Sequence, residues 1–220
     1  MRYLGLALFA EGPTDYYFLR PLLQRLCEDI CAHDATYAVE VSEVLGLDNP
    51  VTEDRLPREE RIAQSAKMAR GAWNVLFIHA DGASDPQKFR RQQVQPGLDL
   101  VRRTMDGEVA GVGVVPIRET EAWVIADGNA LRCAFGTELS DQDLGLPALR
   151  GAEGVADPKA ALKGAFTATN PPSRRLRQGV SPYLNTLGEQ VSLEVLRNLP
   201  SFQALEEELR LALRELGYLR

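Results

Sequence analysis

Residues 3–15 read YLGLALFAEGPTD, and this stretch decides the fold. Its first part, Tyr3 to Phe9, is a short apolar run that ends in turn-forming residues, which is typical of a buried strand. Pro13 then opens an amphipathic stretch whose apolar residues recur every three or four positions, which predicts a helix. Glu11 therefore falls in the turn at the carboxyl end of a first strand, where open α/β sheets hold their ligands.

The turn itself has two explanations. Gly12 lets the backbone bend sharply, and Thr14 and Asp15 can accept hydrogen bonds from free amides of the first helical turn. A capped strand-to-helix turn needs nothing more than this. Taken alone, the segment fits a structural turn as well as a metal or acid–base site built on Glu11.

A second strand end carries acidic residues. The continuous apolar run Val75 to Ile78 is typical of a strand buried on both faces of a parallel sheet, and Asp81, Gly82 and Asp85 follow it directly. Two separate strands that deliver carboxylates to one edge of a sheet indicate a functional site rather than a solvated loop. His79, the final residue of this strand, has two explanations, contact with the site and packing in the core, of which packing is favoured.

A third acidic junction follows the strand predicted from Val112 to Pro116. Glu119 and Glu121 fall where that strand gives way to a helix. Acidic residues in a first helical turn interact favourably with the helix dipole, by about 0.3–1 kcal/mol each, so Glu119 has a purely structural explanation. Glu121 is the stronger candidate ligand, given the two acidic loops that precede it.

The elements alternate along the first part of the chain. A second strand is predicted over residues 36–44, a helix over 59–71 and an interrupted helical region over 88–105. We therefore predict an α/β fold, with a Rossmann-like, mostly parallel sheet flanked by helices over residues 1–130. Residues 131–220 read as a helical C-terminal extension packed on this core.

The segment Glu11-Gly12-x-Thr14-Asp15 after a first strand, together with the later acidic loop, resembles the Toprim domain. Topoisomerases, bacterial primases, recombination-mediator proteins and the nucleases named for overcoming lysogenization defect share that domain. Residues 119–127, ETEAWVIAD, and residues 157–159, DPK, resemble more closely a small prokaryotic Toprim-like family that is often encoded beside a defence-type ATPase.

The resemblance implies a nuclease that cleaves DNA with Mg²⁺ or Mn²⁺ bound by carboxylates, which stabilise charge on the phosphate and activate water. It implies catalytic roles for Glu11 and Asp81, and metal ligation by these two residues together with Asp85, Glu119 and Glu121. It also implies a role in defence against foreign DNA beside an ATPase partner.

One departure from the Toprim pattern concerns the second strand end. The superfamily usually has Asp-x-Asp there, whereas this chain has Asp81-Gly82-Ala83. Asp85, two residues further on, is the candidate replacement for the second aspartate. The departure leaves open a weakened or inactive site, and with it a non-catalytic binding or regulatory subunit of an ATPase complex. A primase-like enzyme is a third alternative, against which the lack of zinc ligands counts.

The most basic short segment is residues 170–177, NPPSRRLR. Its Arg174, Arg175 and Arg177, with Lys159 and Lys163 upstream, are predicted to meet the phosphates of a substrate. Solvated cations explain the same segment, because the aromatic residues typical of single-strand binders are missing from it. DNA and RNA are not distinguished by these residues.

Composition limits the remaining possibilities. The formal net charge of −6 argues against coating of DNA by the whole surface and favours a local basic groove or a protein partner. No apolar run reaches the length of a membrane span, and the three cysteines give no disulfide framework, so we expect a cytoplasmic protein.

Two further features leave alternatives open. Cys27 and Cys31 lie one helical turn apart near His33, which permits a zinc site, although buried thiols on an apolar helix face explain them better. The predicted final helix, residues 201–216, has one apolar face. That face docks either on its own domain or on another subunit, in a homo-oligomer or an ATPase complex.

Overall fold

A computed structural model describes residues 1–47, 56–105 and 109–220. At its centre lies a four-stranded sheet whose strands are all parallel, in the order β2-β1-β3-β4. The strands are β1 (Arg2–Phe9), β2 (Val39–Gly46), β3 (Val75–His79) and β4 (Ala110–Val114). The prediction of a parallel α/β sheet flanked by helices is therefore confirmed.

Helices flank this sheet on both faces. Those of the first part of the chain are α1 (Pro13–Asp34), α2 (Arg58–Met68), α3 (Pro86–Phe89), α4 (Gln95–Thr104) and α5 (Glu121–Val124). A π-helical turn, Arg90–Val94, joins α3 to α4. The interruption expected near Pro96 is this π turn, which directly precedes Gln95 and Pro96 in an otherwise continuous helical run, where a proline without an N–H cannot continue the α-helical hydrogen bonds.

The last third of the chain is helical. Its helices are α6 (Gly128–Phe135), α7 (Pro158–Ala168), α8 (Ser173–Gln178), α9 (Leu184–Gln190), α10 (Leu193–Leu196) and α11 (Pro200–Glu215), with 3₁₀ turns at Leu149–Gly154 and Ser181–Tyr183. Throughout the described ranges, no helix has the length and apolar character needed to cross a membrane.

The C-terminal helices and one face of the sheet share a continuous hydrophobic core. At the contact between α1 and α9, a Cβ on Gly188 would lie only 2.2 Å from the carbonyl oxygen of Phe18, so a glycine is needed for this close approach. Arg25 of α1 donates hydrogen bonds of 2.9 Å to the carbonyl oxygens of Gly188 and Val191. The extension is thus built into the core.

Helix α11 covers the edge strand β4. Glu208 of α11 accepts a 3.1 Å hydrogen bond from the Gly113 amide of β4, and it pairs bidentately with Arg90 at 2.7 Å for each bond. The apolar face of α11 is buried within the chain, through Phe202, Leu205, Leu209, Ala212 and Leu213. Of the two alternatives for this face, the structure therefore shows docking on its own domain.

The strand order creates a crevice at one edge of the sheet. From β1 the chain reaches β2 on one side, whereas β3 pairs with β1 on the other. At such a topological switch point, the loops that follow the two central strands diverge and leave room for a ligand. Glu11 follows β1 and Asp81 follows β3, so both residues border this crevice.

Candidate functional site

Glu11 and Asp81 are in direct contact. Strands β1 and β3 are paired with Phe9 beside Ile78, so the two acidic residues that follow leave the same edge of the sheet. The backbone amide of Asp81 donates a 3.1 Å hydrogen bond to Oε2 of Glu11. The proximity of these two residues follows from the register of the parallel pair.

His79 lies between two carboxylates. Its side chain is fully buried, with Nδ1 3.6 Å from Oδ2 of Asp15 and Nε2 3.4 Å from Oδ1 of Asp81. The amide of Glu11 points to the same Nδ1 at 3.5 Å. His79 is therefore part of the site as well as of the core. A usable sequence signal is its spacing of two from Asp81, which in an extended strand points both side chains the same way.

Asp15 is a second residue whose role in the site was missed. Its Oδ2 accepts the Gly12 amide at 2.9 Å, which confirms the expected capping of α1. Its Oδ1 accepts a 3.1 Å hydrogen bond from the hydroxyl of Thr120, the residue that precedes α5. Asp15 thereby connects the acidic loop after β1 to the one after β4.

Lys159, from the start of α7, lies among the acidic side chains. Its Nζ is 3.6 Å from Oε1 of Glu121 and 4.0 Å from Oε2 of Glu119. Burial raises the pKa of the Glu121 carboxyl, and the Lys159 charge offsets only part of this rise. Burial lowers the pKa of Lys159, but the Glu121, Glu119, Asp81 and Asp15 carboxylates together outweigh it and leave the pKa raised.

Backbone hydrogen bonds tie the loop after β3 to the loop after β4. Ala83 and Arg118 form an isolated antiparallel bridge with N–O distances of 3.1 and 2.8 Å. Both residues have positive φ, 44° and 69°, which is unusual outside glycine. A Cβ on Gly82 would lie 2.5 Å from the carbonyl oxygen of Pro116, so the close approach of the two loops requires glycine there.

Asp85 has a structural contact. Its side chain caps α3 by accepting a 3.0 Å hydrogen bond from the Lys88 amide. The sequence contains a signal for this, since Asp followed by Pro86 is a common start of a helix. Asp85 as a substitute for the second aspartate at position 83 stays a prediction, and its observed partner lies within its own helix.

Two carboxylate oxygens of the cluster are buried without a hydrogen-bond partner in the described part of the chain, namely Oδ1 of Asp81 and Oε2 of Glu119. The 3.4 Å contact of Asp81 with His79 lacks hydrogen-bond geometry. Carboxylate oxygens are the ligands that hard divalent ions prefer, and Mg²⁺ keeps several waters beside one or two of them.

As the side chains stand, no group of three His, Cys, Asp or Glu residues within 1–47, 56–105 and 109–220 is placed to hold one ion. Each of the two oxygens faces a nitrogen instead, Nε2 of His79 at 3.4 Å and Nζ of Lys159 at 4.0 Å, and carboxylates of this kind fit a site that Mg²⁺ or Mn²⁺ shares with water and substrate oxygens. They do not form a site closed by the protein alone.

Among the cysteines, burial raises the pKa of Cys27 and raises that of Cys31 to about 11, which is consistent with protonated thiols in the core of α1.

A cleft of about 730 Å³ adjoins the acidic cluster. Glu119, Glu121 and Lys159 line one side of it, and the helices α7 to α9 provide the other. The predicted substrate-binding residues Arg174, Arg175 and Arg177 are exposed on α8, whose Leu176 lines the cleft. The structure therefore places the basic segment beside the acidic cluster.

Fold and site together define a parallel α/β protein with an acidic cluster at its topological switch point. Residues 10–210 match a family model described as Domain of unknown function (DUF4276). Because the match covers most of the chain, the protein belongs to that family. A comparison with curated proteins and one with solved structures each found no match.

Proposed function

We propose that this protein is a Toprim-like, metal-dependent nuclease that cleaves phosphodiester bonds of DNA. The observation that carries the proposal is the contact between Glu11 and Asp81 at the switch point, beside two buried carboxylate oxygens without a hydrogen-bond partner. A solvated acidic loop would leave such oxygens in water, because burying an unpaired carboxylate oxygen is costly.

Mg²⁺ or Mn²⁺, when bound, neutralises developing charge on the phosphate and activates water. Asp81, through the carboxylate oxygen that does not face His79, and Glu119 would hold the ion, and Glu121 would serve as a further ligand. Glu11 would act as a ligand or hold the proton of the attacking water. The buried His79 fixes the direction of Asp81 from behind.

Lys159 has a double role in this proposal. Its ammonium group compensates the charges of Glu119 and Glu121 in the free protein. Once a divalent ion takes over that compensation, Lys159 is available to a substrate phosphate. Arg174, Arg175 and Arg177 would hold phosphates further along the strand.

The cellular setting is also part of the proposal and rests on the resemblance to the Toprim-like family. A cytoplasmic protein that acts on foreign DNA together with an ATPase subunit would need only weak DNA affinity of its own. The formal net charge of −6 supports a low DNA affinity of this subunit alone, because it offers little general attraction to phosphates.

A non-catalytic subunit with the same scaffold is the second candidate. Ala83 stands where the second aspartate is expected, Asp85 is engaged in capping α3, and no three ligands converge in the described residues. These observations favour a site that has lost its ion while the fold and the partner surface are retained.

The test is the substitution Glu11→Gln, which keeps the size and the hydrogen-bond acceptor but removes the charge. Glu207, exposed on α11, supplies the matched control Glu207→Gln. Cleavage of DNA is measured with Mg²⁺ or Mn²⁺, alone and with any ATPase encoded beside the protein, and thermal melting checks the fold. We expect Glu11→Gln to be inactive and the control to be active. Equal cleavage by wild type and Glu11→Gln would refute the enzyme and leave the scaffold interpretation.

A further inference from the structure

The cleft beside the acidic cluster has two chemically different halves. Its polar end carries Glu119, Glu121 and Lys159, and Lys163 follows one helical turn further along α7. Its other end is apolar and is lined by Leu162, Phe166, Leu176 and Leu184 among others. A ligand that fills it must therefore combine a charged group with a flat or bulky apolar one.

The apolar end is rigid on one side and open on the other. Phe166 is buried and is held by ring contacts to Phe135 at 5.2 Å and to Tyr183 at 5.4 Å. Leu176 on α8 is instead 49% exposed, so its side chain is accessible to a ligand on the open side of the cleft. Its neighbours Arg175 and Arg177 are exposed cations on the same short helix.

We infer that this cleft takes one unpaired nucleotide of single-stranded DNA, with its base against the Leu176 side and its phosphate at Lys159 and Lys163. This inference rests on the proposed function and names the substrate class of the same site. A volume of about 730 Å³ falls within the range of small-ligand sites. It has room for a single base, and apolar pockets are where unstacked bases are held.

The charges of the cleft add a condition. Among its lining residues, the carboxylates Glu119, Glu121 and Asp157 outnumber the ammonium groups of Lys159 and Lys163. A phosphate is therefore repelled until a divalent ion binds the acidic end and reverses the sign of the local charge. Binding of the nucleotide should consequently depend on the ion.

The experiment measures binding of a fluorescently labelled oligothymidylate of about twelve nucleotides by anisotropy. Ca²⁺ replaces Mg²⁺ so that binding is followed without turnover. The cleft variants are Leu176→Asp and Lys163→Glu. The matched controls are Leu211→Asp, at a leucine 53% exposed on α11, and Lys67→Glu, at an exposed lysine of α2.

We expect each cleft variant to weaken binding at least about tenfold, while both controls bind like wild type. A blunt duplex of the same sequence should bind at least about tenfold more weakly, and a chelator should remove binding to the single strand. Cleft variants that bind like the controls, a duplex that binds as tightly as the single strand, or binding that persists in chelator would each overturn the inference.

The same set of proteins separates this inference from the proposed function. Cleft-dependent binding without cleavage in any metal would refute the nuclease and leave the nucleotide cleft standing. Metal-dependent cleavage with an unchanged KM in the cleft variants would leave the nuclease standing and refute the cleft.

Discussion

The ammonium group of Lys159 lies 3.6 Å from Oε1 of Glu121, and this contact joins the C-terminal extension to the acidic cluster of the sheet. Lys159 lies in the first turn of α7, whereas Glu121 begins α5. The site is therefore assembled from the parallel sheet and the helices that follow it. Neither part alone presents the same balance of charges.

The first prediction concerns Glu121, whose carboxyl pKa is raised above its ordinary value of 4.5, mainly by burial. The folded state thus holds this proton more tightly than the unfolded state, and wild type loses stability as the pH rises from about 4.5 through the folded pKa. We expect Glu121→Gln to be more stable than wild type at pH 7, with a difference that shrinks towards acid pH.

Thermal melting in a chelator between about pH 4 and pH 8 measures this difference. Glu207→Gln at an exposed position of α11 should show no such pH-dependent gain. If Glu121→Gln melts below wild type at neutral pH, the contact with Lys159 outweighs the cost of burial.

The second prediction concerns Ala83, which has a φ of 44°. Glycine avoids the Cβ strain of this conformation, and Asp tolerates it better than most residues. Ala83→Gly should raise stability by about 1 kcal/mol, whereas Ala83→Val should lower it. Ala83→Asp should fold normally and, by supplying the second aspartate of the Toprim pattern, bind Mn²⁺ more tightly than wild type.

Calorimetric titration with Mn²⁺ and thermal melting decide this series. Ala83→Asn has a similar shape and backbone preference without the charge, and so serves as the control for Ala83→Asp. Equal Mn²⁺ affinity in the two variants would mean that position 83 does not face the ion.

The third prediction concerns the basic helix α8. Charge reversal of Arg174, Arg175 and Arg177 should weaken binding of single-stranded DNA and reduce the slope of log affinity against log salt by about 2, if each arginine neutralises one phosphate. Reversal of three exposed cations on α2 and α4, Lys67, Arg102 and Arg103, changes the net charge equally and serves as the control. An unchanged slope in the α8 variant would assign these arginines to solvent or to a protein partner.

The fourth prediction concerns the two parts of the chain. Residues 1–130 contain the whole sheet, but α9 and α11 of the extension cover α1 and the edge strand β4. A chain that ends at residue 130 would expose this apolar surface and leave the Gly113 amide without Glu208. We expect it to aggregate or to bind a hydrophobic dye, as circular dichroism and dye fluorescence would show. A cooperative melt of this fragment would establish an independent core domain.

Much of the fold was predictable because its strands are short, apolar and separated by clear helices. The predicted strand Val75 to Ile78 differs from β3 by only one residue, whereas the strand expected at residues 36–44 is displaced to Val39–Gly46. Edge strands such as β2 are half-exposed, so their apolar pattern is weak. The π-helical turn Arg90–Val94 was indicated only by the proline that follows it, because Pro96 marks an interruption without determining which form the interruption takes.

The site was predictable where it depends on strand direction and not where it depends on side-chain orientation. Parallel strands bring Glu11 and Asp81 to one edge, so their proximity followed from the sequence. Asp15 and His79 were assigned to capping and packing, and the structure shows that each does this and also touches the cluster. The capping role of Asp15 was a sufficient local explanation and concealed its second role, whereas the spacing of His79 from Asp81 was a usable signal.

The bridge between Ala83 and Arg118 ties together the backbones of two acidic loops. The loops after β3 and β4 exchange two hydrogen bonds there, close to Asp81 and Glu119. The wall of the cleft is attached to the second of these loops, because α7 packs on α5 and Lys159 pairs with Glu119 and Glu121. A ligand therefore meets carboxylates whose spacing is set by the fold before anything binds.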